Sequence, residues 1–167
     1  MKLTAFQENS YELEFHALRT GAKLELTFNW INPLPSYSAP HTKLGERTIG
    51  LWEKTCFEFF FQGQGLKNYF EINMSTDGNW NSFEFSSYRS SPLNEAKDLV
   101  CHSFEMGETF LKATFTLPLK LASSPLVANA CAVVSDFKER EKFWALSHSK
   151  NGAPDFHDLK EFIYKLD

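Results

Sequence analysis

A disulfide framework, long apolar runs and a surplus of either charge are all missing from this chain of 167 residues. The three cysteines, Cys56, Cys101 and Cys131, are odd in number and far apart, with no CxxC pair and no zinc-type spacing. They read as small buried apolar side chains, not as bridges or ligands. No window approaches the roughly 18–20 apolar residues of a membrane-spanning helix, so no membrane association is expected. A formal net charge of −4 leaves no electrostatic footprint for nucleic acid. The opening MKLTAFQEN holds no apolar stretch long enough for a secretory leader, and Glu8 arrives early. Together with reduced thiols, this makes a cytoplasmic protein the expectation. Helical periodicity is missing too: no segment places apolar residues at i, i+3, i+4 and i+7. Also absent are GxSxG, HExxH, a Cys–His pair at recognisable spacing and any flavin or nicotinamide fingerprint.

What the chain has in abundance is aromatic side chains, at 16% with 17 phenylalanines. Such residues favour half-buried pleated surfaces. The length fits a single domain over 1–167, large enough to hold a core without staples. Period-two alternation runs through Tyr11–Leu18 and Lys23–Trp30, with Thr20-Gly21-Ala22 as the turn of a hairpin. Residues 32–50 carry prolines, serines and glycines and read as a long loop. Strands are expected at Thr55–Phe61, Asn68–Ser75 and Trp80–Tyr88, with a polar crossing at Ser90–Asp98. Further strands follow at Leu99–Met106 and Thr109–Leu117, then a linker at Leu119–Ser124. Val127–Ser135 is nearly continuous in apolar residues and predicts a central strand buried on both faces. Asp136–Lys142 reads as a charged turn, and Phe143–His148 and Leu159–Leu166 close the chain around a loop holding Asn151-Gly152 and Pro154. About ten closely spaced strands with little or no helix predict an all-β fold, a two-sheet antiparallel sandwich or jelly roll.

Alternation divides the three middle strands by face. Phe57, Phe59, Phe61, Phe70, Ile72, Met74, Phe83 and Phe85 form one apolar set, expected to face the core. The opposite set holds Cys56, Glu58, Phe60, Tyr69, Glu71, Asn73, Trp80, Ser82, Glu84 and Tyr88. It lacks lysine and mixes carboxylates with Trp and Tyr rings. Flat rings that pack on C–H faces, beside groups that bond hydroxyls, suit a sugar. A solvated outer sheet with incidental aromatics is the plainer alternative. Glu58 and Glu71 on neighbouring strands would repel unless a cation lay between them, and Arg47 or Arg89 could supply it.

Several strings carry a resemblance: GLWEKTCFEFF at 50–60, YFEINMS at 69–75, DGNW at 77–80, Tyr88-Arg89, FWALSH at 143–148 and PDFH at 154–157. Taken together the chain resembles the DOMON-like bacterial proteins related to the family-nine carbohydrate-binding modules. That resemblance implies a β-sandwich with a sugar or haem site on one concave face. Its matching positions are Trp52, Glu58, Glu71, Asn73, Trp80, Arg89 and Trp144. Simple alternation sets Arg89 with Phe83 and Phe85, so reaching the ligand would need a bulge or the strand end.

The expectation is therefore a non-catalytic domain, without a cofactor, that binds a carbohydrate-like small molecule. Three alternatives stay open. Haem binding would need axial ligands, for which Met74 and His148 are the available pair. An enzyme could use Glu58 and Glu71 as acid and base. A protein-interaction module could use the polar face and the 32–50 loop, with its partner unidentified.

Overall fold

The structure is a computed structural model, and it describes residues 1–6, 12–32, 34, 39–135, 141–150 and 152–167. Eleven strands run through the described residues. They are β1 (Thr4–Ala5), β2 (Leu13–Thr20), β3 (Lys23–Trp30), β4 (Cys56–Gly63), β5 (Tyr69–Ser75) and β6 (Trp80–Phe85). Then come β7 (Val100–Met106), β8 (Phe110–Thr116), β9 (Leu126–Ser135), β10 (Glu141–Ala145) and β11 (Tyr164–Leu166). Among the described residues, helical geometry is confined to short 3-10 turns at Leu51–Glu53, Leu119–Leu121 and Leu159–Glu161.

The strands form two antiparallel sheets packed as a sandwich. One has the order β2-β3-β8-β7; the other has β1-β10-β9-β4-β5-β6, with β11 also on β9. β2 and β3 close through Gly21 and Ala22, and Gly21 takes φ +59°, the left-handed conformation a tight hairpin turn asks of its first central residue. β9 lies between β4 on one side and β10 and β11, set end to end, on the other. Strands of the large sheet flank it along most of its length and both faces are covered, which is why its sequence is nearly all apolar. The polar stretch after β6 does pass from one sheet to the other, since β7 belongs to the smaller sheet.

Several boundaries differ from the sequence expectation. The third middle strand ends at Phe85, and Tyr88 and Arg89 lie in the loop beyond it. The final segment splits into a 3-10 turn and the short β11, with Asp158 capping the turn by accepting from the Lys160 N–H. Of the expected charged turn at 136–142, Glu141 and Lys142 open β10, while 136–140 lie outside the described residues. Tyr11, Asn151 and residues 33 and 35–38 of the long loop also lie outside them.

The consequential correction concerns β6. Directly paired residues on adjacent strands point to the same side of a sheet. Phe57 pairs with Met74, Met74 with Trp80 and Ile72 with Ser82. Trp80 and Ser82 therefore join Phe57, Phe59, Phe70, Ile72 and Met74 on the inner face. Phe83 and Phe85 pair with Glu71 and Tyr69 and so face outward. The expected faces of β6 are inverted. Hydrophobicity misled because the outer face of the large sheet is itself apolar. Phe60, Tyr69, Phe83, Phe85, Cys131 and Val133 form a second buried cluster there, under Phe156 and Phe162 of the C-terminal segment.

Between the sheets lies the main core. Phe15, Phe28 and Phe57 pack across it as tilted pairs, and Trp30 lies nearly parallel to Phe57 at 5.3 Å. All three cysteines are buried free thiols, as the spacing suggested.

Candidate functional site

The outer face of the large sheet carries a cavity of about 540 Å³. Its floor comes from β4 and β5. β4 points Glu58 and Phe60 outward, and β5 points Tyr69, Glu71 and Asn73 outward. Register sets Glu58 opposite Asn73 and Phe60 opposite Glu71, so the two glutamates are diagonal neighbours. The walls are Trp52 from the 3-10 turn before β4, Phe85, Phe143 from β10, and Phe156 and His157 from the C-terminal segment. Arg89, Ser90, Ser91 and Leu93 form one rim.

Both carboxyls are nearly withdrawn from water, at 3% exposure for Glu58 and 5% for Glu71. Burial pushes the Glu58 carboxyl well above the usual range, and the Glu71 charge adds to it, against opposition from the Cys56 thiol and Arg89. Glu71 is pushed up to about 7 by burial, restrained by the Asn73 amide, whose Nδ2 donates to Oε1 at 2.6 Å, and by the Arg89 charge. The same charges and burial push the Cys56 and Cys131 thiols up.

His157 is the counterpart. Burial, followed by repulsion from Arg89, lowers its imidazole to about 4, while Asp155 pulls the other way. Its Nε2 lies 3.9 Å from Glu71 Oε2, within ion-pair reach, but an imidazole held neutral makes this a polar contact and not an ion pair. Nδ1 sits 2.7 Å from the Tyr69 hydroxyl, which also accepts the Arg89 backbone N–H at 3.1 Å. The assignment that uses every donor has the Tyr69 O–H donating to Nδ1, leaving the imidazole proton on Nε2, toward Glu71.

Arg89 reaches the rim by leaving the strand. It is the one non-glycine residue at positive φ among the described residues, at +47°, a conformation worth about 1 kcal/mol or more of strain. The guanidinium pairs with Asp155 at 3.1 Å, and its Nε donates to the Tyr88 hydroxyl at 3.3 Å. That hydroxyl in turn donates to Asp155 at 2.9 Å.

The structure thus brings together Trp52, Glu58, Glu71 and Arg89 as lining residues, with Tyr69 and Asn73 buried beside them. It places four expected residues elsewhere. Trp80 is on the inner face, edge-on to Phe115 at 5.9 Å. Trp144, paired with Ala132 and Ala5, is buried in the main core. Arg47 does not lie between the glutamates: it stacks on Trp80 at 4.3 Å and donates to Asn81 Oδ1, Ser82 Oγ and the Ala96 and Leu99 carbonyls. His148 donates from Nε2 to the Thr4 carbonyl at 2.7 Å and packs against Phe6. Its suggested haem partner, Met74, is fully buried between the sheets, so neither lines the cavity. Glu84, also expected outside, sits at the inner edge of β6, where it accepts from Asn68 and Lys120.

Sequence reasoning missed His157, Phe156, Phe143 and the outward role of Phe85. The PDFH string at 154–157 was the available signal for the first two. Nothing along the chain marks it as the cover of β4 and β5.

No protein-family model matches the sequence, and no curated protein does. A solved structure from Bacteroides uniformis, a "putative carbohydrate-binding protein", shares the fold with a TM-score of 0.65 at 16% identity. The match covers 93% of this chain and 78% of that one.

Proposed function

We propose that this chain is a non-catalytic binding domain for a carbohydrate or carbohydrate derivative, seated in the cavity over Glu58 and Glu71. The observation that carries the reading is the makeup of that cavity. Rings of Trp52, Phe60, Phe85, Phe143 and Phe156 offer apolar faces, while two carboxyls and the Arg89 guanidinium offer hydrogen bonds. Sugars present that pairing of C–H faces and hydroxyl edges. A sandwich shared with a protein named for carbohydrate binding supports it. So does the sequence resemblance to DOMON-like proteins, since four of its seven matching positions, Trp52, Glu58, Glu71 and Arg89, line the cavity. The reading includes a cytoplasmic setting, in keeping with three unpaired thiols, where a small sugar, a nucleotide sugar or a cell-wall precursor is the natural ligand.

Isothermal titration calorimetry of the full chain against a panel of mono- and oligosaccharides tests this. Binding at micromolar to millimolar dissociation constants, weakened about tenfold or more by Trp52→Ala, is expected. Saturating millimolar sugar with no heat and no shift in melting temperature would overturn it.

A further inference from the structure

We propose that the cavity selects a ligand bearing a protonated amine, an amino sugar within the class above, with the ammonium seated between Glu58 and Glu71. The sugar part rests on the carbohydrate reading; the ammonium part rests on the charge, donors and rings of the cavity.

The charge is lopsided. Among the described residues, Glu53, Glu58, Glu71 and Glu141 line the cavity, against Arg89 as the single Lys or Arg. Arg89 is already committed to Asp155 and Tyr88. Neither Glu58 nor Glu71 has a Lys or Arg ion pair among the described residues. Glu71 accepts from the Asn73 amide. Buried carboxylates are costly unless protonated or matched by a cation. Protonation serves the empty cavity, and an ammonium would serve the filled one.

Hydrogen-bonding capacity points the same way. Asn73 is fully buried directly opposite Glu58, and its Oδ1 has no hydrogen-bond partner among the described residues. The floor therefore has acceptors to spare. An ammonium carries three donors and no acceptor. Rings complete the match, because Trp and Phe faces attract organic cations, most strongly when water is excluded. A metal ion fits less well: no three His, Cys, Asp or Glu groups among the described residues are placed to share one.

The test compares D-glucosamine and its β-1,4 oligomers with their N-acetylated and unsubstituted glucose counterparts, by calorimetry near pH 7. Spermidine serves as an amine that is not a sugar. Amino sugars are expected to bind about tenfold or more tighter than the other two sets. Glu58→Gln is expected to remove that preference, lowering amino-sugar affinity about tenfold or more. Should Glu58→Gln fail to fold, Glu71→Gln gives the same readout. Neutral or N-acetylated sugars binding as tightly as the amines would overturn the inference and leave the carbohydrate reading standing. Spermidine binding with no sugar binding would uphold the ammonium site and overturn the carbohydrate reading. Silence from sugars and amines alike would overturn both.

Discussion

The Tyr69 hydroxyl stands 2.7 Å from His157 Nδ1 and accepts the Arg89 N–H at 3.1 Å, tying the floor of the cavity to two of its walls. The hydroxyl of Tyr69 thereby holds both a neutral imidazole and a strained backbone in place.

Tyr69→Phe leaves a buried ring nitrogen and a backbone N–H without partners. A stability loss of about 1–3 kcal/mol is expected from denaturant midpoints. The neutral form of His157 also loses the donor that favours it, so its pKa should climb from about 4. An NMR titration of the His157 ring in this variant checks the direction; an unchanged titration would sink the proposed tautomer.

Stability should fall as pH rises through neutrality. Glu71, ordinarily near 4.5, is pushed up to about 7, so between those values the folded chain holds a proton the unfolded chain has released. The stability this group contributes is full below about pH 4.5 and is lost as pH rises through about 7, on the order of 3 kcal/mol in all. Glu58 acts in the same direction. His157, lowered to about 4, acts oppositely: its contribution is lost as pH falls through about 4 and is complete above about 6.5. Arg89 stays charged throughout, and the neighbouring Cys56 and Cys131 thiols are held above this window. Between about pH 6.5 and 8 only the carboxyls of this cluster change, so the urea midpoint should drop. Glu71→Gln should flatten the drop, and a midpoint that rises over this range would contradict it.

Arg47 stabilises the fold and not the cavity. Its guanidinium links the 39–50 loop to Asn81, Ser82, Ala96 and Leu99 while lying over Trp80. Arg47→Ala is expected to cost about 2–4 kcal/mol by urea denaturation. Arg47→Lys should recover only part, because an ammonium cannot reproduce the fork. Neither should alter ligand affinity by more than about twofold at a temperature where both are folded.

Of the four tryptophans, Trp52 alone lines the cavity. Ligand should therefore change intrinsic fluorescence through Trp52, and Trp52→Phe should abolish most of the change. Trp144→Ala instead empties a fully buried site, with an expected loss of about 3–5 kcal/mol. A fluorescence response that survives Trp52→Phe would place the ligand elsewhere.

How legible the site was depends on the strand. On β4 and β5, alternation put Phe57, Phe59, Phe70 and Ile72 on one face and Glu58, Glu71 and Asn73 on the other, and the sheet keeps that division. Here the contrast between faces lies in charge as well as apolarity. On β6 the same reasoning inverted, because Phe83 and Phe85 are as apolar as any core residue. They are covered from outside by Phe156, Phe162 and Trp52. Arginine roles were undecidable along the chain, since a guanidinium reads alike whether it bonds carbonyls, as Arg47 does, or rims a cavity, as Arg89 does.

The sequence alone determined that this is an all-β chain of short strands, with a central β9 and a pair of outward carboxyls. These follow from local rules: side chains alternate with period two, and strands buried on both faces need apolar residues throughout. Tertiary structure decided which face of β6 is inside, because pairing parity with β5 sets it and parity depends on how the turn at 76–79 closes. It also decided that His157 meets Tyr69 across 88 residues of sequence. Only the folded sheet, covered by its own C-terminal segment, brings a neutral imidazole, two uncompensated carboxyls and a set of rings around one cavity.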